Sequence, residues 1–261
     1  MWAEAVGFLS SWFTTFSLPG LGLAILFGAI WLTGYWPSLF KRYWLWAVLI
    51  TSAFLTLLTV AFMQLPLQLY IGQVMNQQWS QEILMQWFLL AGLPTILISG
   101  LVQEGSKLVP VVVWWWREDR SIDPKVGLVV GAVAGAGFGI FEAYWLLSYV
   151  FASGWTWETI GTCGIGTLMP FWERFFTIAF HTAVSALAGY GLAKGLGWQF
   201  YLIASGLHAL VNYGVIMVQA GVFSAVQAEI FIAMVALLVT LVVVWLRWRE
   251  EKPVTEETGE T

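Results

Sequence analysis

Long apolar segments dominate this sequence and constrain its fold more than any other feature. Seven runs of roughly 20 mostly apolar residues follow one another along the 261-residue chain. A helix of about that length crosses the hydrocarbon layer of a membrane. Only 10% of the residues are charged, whereas a soluble domain has about 25%. The sequence therefore predicts an all-α, polytopic membrane protein whose first partner is the lipid bilayer.

The runs define a domain organisation. The predicted spans are Leu18–Trp36, Trp44–Leu65, Leu93–Trp116, Val126–Val150, Leu168–Ala193, Phe200–Val218 and Ile230–Leu246. Residues 1–17 are predicted to form an amphipathic or disordered lead, and residues 18–247 a single transmembrane domain. Residues 248–261 contain several Glu and Thr and are predicted to be a disordered cytoplasmic tail.

The basic residues predict the orientation. Nine of the eleven Lys and Arg residues lie after odd-numbered spans, and none lies in the N-terminal lead or after an even-numbered span. The nine are Lys41, Arg42, Arg117, Arg120, Lys125, Lys194, Arg247, Arg249 and Lys252. Because basic loops stay in the cytoplasm, we expect the N-terminus outside and the C-terminus inside.

Composition also excludes some classes of function. The chain has no basic face of the kind that nucleic-acid binding requires, so no nucleic-acid partner is expected. Its single cysteine, Cys163, cannot form an internal disulfide or a thiolate cluster.

Charged and polar residues inside the predicted spans are the functional signal. Spans one, two and seven carry no charge in their interiors, so the charges and both histidines of the chain fall in spans three to six, in a polar core within residues 93–218. A charge at the bilayer centre costs about 2.5–3.5 kcal/mol on insertion scales, so it needs a partner or a purpose. The set is Gln103, Glu104, Lys107, Glu142, Glu173, Arg174, His181, His208 and Asn212.

Two kinds of chemistry fit these residue types. A carboxylate can take a proton from an attacking water, while histidine and asparagine donate to the leaving amine or the oxyanion. Alternatively, Glu142, His181 and His208 could bind one zinc ion and leave a position open for water. The chain has no HExxH motif, so the spacing alone establishes no cofactor, and zinc is the one candidate.

The order of these residues resembles the PrsW and YhfC families of intramembrane proteases, which are related to the CAAX prenyl protease and bacteriocin-immunity group. Those families share an EExxK/R motif, then FxxxE or FxxxH, then later histidines. The counterparts here are Gln103–Lys107, Phe138–Glu142, Glu173-Arg174 followed by His181, and His208–Asn212. The resemblance covers about residues 93–218 and implies an integral membrane protein, which we expect in a prokaryotic cell membrane.

The resemblance also implies roles. Glu104 would be the general base, and Glu142, His181 and His208 would orient water or hold a metal, with Asn212 at the oxyanion. Lys107 and Arg174 would hold carboxylates in place, with Gln103 and Glu173 beside them. The substrate would be a membrane-bound peptide or protein.

One residue departs from the family pattern and keeps alternatives open. Gln103 stands where the motif has its first glutamate. If that position supplies the base, the chain would be an inactive, protease-like scaffold. A proton-coupled transporter is the other alternative, because intramembrane Glu, His and Arg also form proton relays.

Overall fold

The protein is all-helical in the part that the structure describes. The computed structural model describes the backbone of residues 2–250, and no strand occurs in that range. The helices are α1 (Trp2–Thr14), α2 (Leu18–Thr33), α3 (Trp44–Thr59), α4 (Leu65–Gln78), α5 (Gln81–Gln86), α6 (Phe88–Ala91), α7 (Leu93–Arg117), α8 (Pro124–Ala152), α9 (Trp157–Cys163), α10 (Met169–Ala193), α11 (Gly197–Gln219) and α12 (Ala225–Arg249).

The helices confirm a membrane protein with about seven spans. Within residues 2–250, six helical segments are long and apolar enough to cross a membrane. A seventh is obtained when α1 and α2, which meet at a bend of 93°, are counted together. The orientation of the termini and the domain boundaries stay predictions.

The structure describes most of the N-terminal segment and the first residues of the C-terminal one. The predicted lead contains α1, and its Trp12 stacks on Trp145 of α8 with ring centroids 4.6 Å apart. At the other end α12 continues to Arg249, two residues beyond the predicted boundary. The rest of the predicted tail, residues 251–261, lies outside the described residues.

Helices α8 and α10 form the centre of the fold. Asp123 is the N-cap residue of α8, where its carboxylate accepts hydrogen bonds from the backbone N–H groups of Lys125 and Val126. Pro124 follows as the first residue of the helix. Further along, Gly135 faces the backbone carbonyl of His181, with no room for a Cβ atom between the two helices. This close approach, typical of small residues in membrane helices, brings His181 of α10 next to α8.

A π-helical segment, Val60–Gln64, joins α3 to α4 in one continuous 35-residue helix. It ends two residues before Pro66, which has no N–H and cannot donate to a regular α-helical ladder. The wider turn carries the buried side chain of Gln64, which contacts Gln103 of α7. The end predicted for the second span, Leu65, falls directly after this segment. The helix itself does not end there and continues as α4.

Candidate active site

The polar residues predicted from the sequence converge on one cavity. It has a volume of about 350 Å³ and lies between α7, α8, α10 and α11, with further walls from α4 and α12. Seven of the nine predicted residues line it: Gln103, Glu142, Glu173, Arg174, His181, His208 and Asn212. Glu104 and Lys107 do not line it and lie in contact with His208 and His181, which do.

The inner cluster is formed by Glu104, Lys107, His208 and Ser185. Glu104 and Lys107 are both 0% exposed, and their ion pair measures 2.5 Å. The same Oε1 atom of Glu104 accepts a hydrogen bond from His208 Nδ1 at 2.6 Å, and Oε2 accepts one from the Ser185 hydroxyl at 3.3 Å. Because Nδ1 of His208 carries its proton toward the carboxylate, its Nε2 atom is left with a lone pair.

The outer cluster is formed by Glu142, Arg174 and Glu173. Arg174 donates to Glu142 Oε2 at 3.0 Å and to Glu173 Oε1 at 2.5 Å. The Glu142 side chain is 23% exposed, in contrast to Glu104, and it faces the cavity. Its second oxygen has no hydrogen-bond partner among the described residues.

His181 joins the two clusters. Its Nδ1 atom lies 3.1 Å from the ammonium of Lys107, and its Nε2 atom lies 3.3 Å from Glu142 Oε2. An ammonium can only donate, so Nδ1 accepts and Nε2–H donates to the carboxylate. The ring is packed edge-on against Phe138. His181 is therefore fixed in one orientation, with one nitrogen serving each cluster.

A row of amide and hydroxyl groups forms another wall of the cavity. Gln103 donates from Nε2 to Gln64 Oε1 at 3.1 Å and to the Ser99 hydroxyl at 3.2 Å. Asn212 donates to the same hydroxyl at 2.8 Å. Oε1 of Gln103 is buried and has no hydrogen-bond partner among the described residues. This wall, which we call the amide wall, therefore has a hydrogen-bond acceptor beside the cavity that no described residue uses.

Gln64, Ser99 and Ser185 are site residues that the sequence reasoning missed. Ser99 lies one helical turn before Gln103, so its spacing could have placed it on the same face. Gln64 ends an apolar run and has no such signal, because its direction depends on the π-helical segment. Ser185 lies four residues after His181, at a spacing that is common in any helix.

The donor atoms of this site fit a zinc-type ion. Glu104, His181 and His208 each offer one ligand atom, and the three atoms lie within 4.8 Å of one another. Two imidazoles and one carboxylate are a donor set that catalytic zinc sites use. The set contains Glu104, whereas the set predicted from the sequence had Glu142, which contacts His181 instead. Lys107 contacts two of these three residues and is the competing cation.

The sequence profile of the PrsW family of intramembrane metalloproteases matches residues 41–246 of the chain. The chain belongs to this family. The match spans every residue of both clusters and of the amide wall, and it makes this protein an intramembrane protease of the PrsW family. The related YhfC and CAAX groups do not appear in the match. Comparison with the curated proteins and with the solved structures gives no significant match.

Proposed function

We propose that this PrsW-family protein hydrolyses a peptide bond of a membrane-embedded substrate in the cavity, with Glu142 as the general base. One observation carries the assignment: Glu142 lines the cavity while Arg174 and His181 both hold its Oε2 atom. Its other oxygen is left to accept a proton from water. Glu104, in contrast, is fully buried and has both oxygens engaged.

The reaction then follows from the neighbouring groups. Glu142 takes a proton from water as the water oxygen bonds to the carbonyl carbon of the substrate. Asn212 has a second amide hydrogen beyond the one it gives to Ser99, and this hydrogen stabilises the oxyanion. The C–N bond breaks as protonated Glu142 returns its proton to the leaving amine. Atoms and charge balance, and the carboxylate is regenerated.

Glu104 has a positioning role in this proposal, in place of the role of base that the family resemblance implied. It fixes the ring of His208 through Nδ1 and directs the other ring nitrogen away from itself. Carboxylates commonly orient histidines in this way in hydrolytic and metal sites.

Glu104, His181 and His208 would hold the metal that the family description implies. When bound, such an ion supplies Lewis-acid polarisation of the carbonyl and lowers the pKa of a coordinated water. Glu142 stays outside this ligand set and keeps its role as the base.

Gln103 supports substrate binding in the proposal. A protease acts on an extended segment, and unwound backbone inside a membrane has unpaired N–H groups that cost several kcal/mol each. The unpaired Oε1 atom of Gln103 can accept one of these N–H groups. Its amide would therefore serve the substrate, so the lack of a glutamate at this position is compatible with activity.

The family match does not favour the transporter or the inactive scaffold. No observation on the described residues singles out either alternative, and hydrolysis remains the proposed activity.

The test uses purified protein in liposomes with a library of single-span transmembrane peptides, and cleavage is detected by mass spectrometry. Glu142→Gln is expected to lower the cleavage rate about 1,000-fold, because general-base catalysis contributes about 10²–10⁴. Glu118→Gln, at an exposed helix end, is the matched control and is expected to cleave normally. Normal cleavage by Glu142→Gln, together with loss of cleavage by Glu104→Gln, would return the role of base to Glu104.

A further inference from the structure

A second pocket lies at the other end of the helices, on the side where the loop arginines and lysines are concentrated. Its volume is about 250 Å³, and residues before α3, at the start of α8 and at the end of α12 line it. Arg42, Lys125 and Arg247 contribute three basic side chains. No acidic residue is among the described residues that line it. We call it the basic pocket.

The floor of the basic pocket is apolar. Leu45 and Val130 are each 1% exposed and lie in the hydrophobic core, and Val126 and Val129 are the other apolar residues of this floor. Trp36 also lines the pocket and is 74% exposed, as is common for tryptophan at a membrane surface. The pocket therefore combines a cationic mouth with a hydrocarbon-like interior.

The guanidinium group of Arg247 makes one hydrogen bond and has a further N–H that no described residue accepts. Its Nη1 atom donates to the carbonyl of Gly34 at 3.4 Å, just beyond the end of α2. Its buried Nε atom has no hydrogen-bond partner among the described residues. Arg42 is exposed and makes no ion pair with a described residue. Two guanidinium groups therefore line the pocket, and both have N–H donors that no described residue uses.

We propose that the basic pocket binds the phosphate of an anionic phospholipid, with an acyl chain along its apolar floor. Guanidinium groups bind phosphate oxygens through paired hydrogen bonds. Basic pockets between membrane helices on the cytoplasmic side are suited to anionic headgroups. A soluble phosphate shares the headgroup chemistry but has no use for Leu45, Val129 and Val130.

The test measures lipid bound to the purified full-length protein by native mass spectrometry. Phosphatidylglycerol and phosphatidylcholine are added in equal amounts, and inorganic phosphate is added in two separate arms, once alone and once to the lipid-bound protein. We expect one retained phosphatidylglycerol per chain and no stable inorganic phosphate adduct. The double variant Arg42→Gln/Arg247→Gln should weaken phosphatidylglycerol binding about 25-fold, since each basic residue near an anionic surface contributes about fivefold.

The matched control removes the same charge from the same side. Arg117→Gln/Arg120→Gln lies outside the pocket and should keep the bound phosphatidylglycerol. Arg42→Lys/Arg247→Lys retains the charge and the fold, and should bind with intermediate affinity. Equal binding of the two lipids, equal losses in the two Gln double variants, or displacement of the lipid by millimolar inorganic phosphate would overturn the proposal. The test does not depend on proteolysis.

Discussion

The inner and outer clusters each contain a carboxylate paired with a cation, but only the outer pair faces the cavity. The Glu104–Lys107 pair is wholly buried and has its carboxylate oxygens occupied by Lys107, His208 and Ser185. The Glu142–Arg174 pair leaves one carboxylate oxygen unpaired among the described residues and 23% of the glutamate side chain exposed.

This contrast shows how the charged groups of a site can be given separate tasks inside a membrane. A fully paired, buried ion pair is costly to disturb but has no free atom to react. A pair beside a cavity keeps a free oxygen for water. We infer that the inner cluster fixes geometry and the outer cluster carries out proton transfer, with His181 between them.

Metal removal gives the largest expected effect. A chelator such as 1,10-phenanthroline is expected to abolish cleavage, and zinc to restore it, because the inner donor set fits such an ion. Metal content measured by mass spectrometry should be about one per chain in the wild type and in Glu142→Gln, and lower in Glu104→Gln. Equal metal loss in both variants would remove the distinction between the two clusters.

Removing the cation of each pair should affect stability unequally. In the metal-free protein, Lys107→Met leaves Glu104 charged and buried, and is expected to lower the free energy of unfolding by about 3–5 kcal/mol. Arg174→Met leaves Glu142 and Glu173 beside the cavity, where water can solvate them, so the loss should be about 1–3 kcal/mol. Unfolding in mixed micelles measures both. Equal losses of unfolding free energy in the two variants would contradict the contrast between a pair shielded from water and a pair beside the cavity.

The contact between α8 and α10 should also control both clusters through His181. Gly135→Ala places a methyl group against the carbonyl of His181, and is expected to cost about 1–3 kcal/mol of stability. A shift of His181 by about 1 Å should lower cleavage about 100-fold. Gly22→Ala has no atom within 4 Å of its new methyl group and serves as the control. Unchanged cleavage in Gly135→Ala would mean that His181 does not couple the clusters.

An exposed pair gives a reference with the smallest expected effect. Lys194 and Glu250 form an ion pair of 2.8 Å at the surface. The hydrogen bond from Lys194 lowers the pKa of Glu250 from its ordinary value of 4.5, so the stabilisation is present above that value and is lost as pH falls through the lowered pKa. An exposed pair contributes little even at a pH where its stabilisation is fully present, so Lys194→Gln is expected to leave the melting temperature at pH 7 unchanged within error. A clear drop would show that pairs outside the membrane interior also support this fold.

Much of the fold could be predicted because a bilayer demands long apolar helices, and each predicted span overlaps a helix of the structure. The sequence did not predict α4, which continues the second span beyond Leu65 to Gln78. Its residues are more polar, so they lack the apolar run that marks a span. The ordered packing of Trp12 on Trp145 was also missed, because such a contact depends on tertiary structure.

The composition of the site could be predicted, but its internal arrangement could not. Interior charges identified Glu104 and Glu142 equally well, since both are glutamates in apolar helices. Which of them faces the cavity depends on helix rotation and packing, and sequence spacing within one helix does not determine either. For the same reason, the role given to Glu104 by family resemblance passes to Glu142 in the proposed mechanism.

The short α2 has a consequence for the membrane itself. Its sixteen residues span about 24 Å, whereas the hydrocarbon layer is about 30 Å thick. The chain enters α2 from α1 through a bend of 93°. A bilayer thins locally around a span that is too short for it. Because α2 packs against α8 and α10, the thinned patch would lie beside the helices that carry Glu142 and Arg174. The mismatch would shorten the path by which bulk water reaches the cavity.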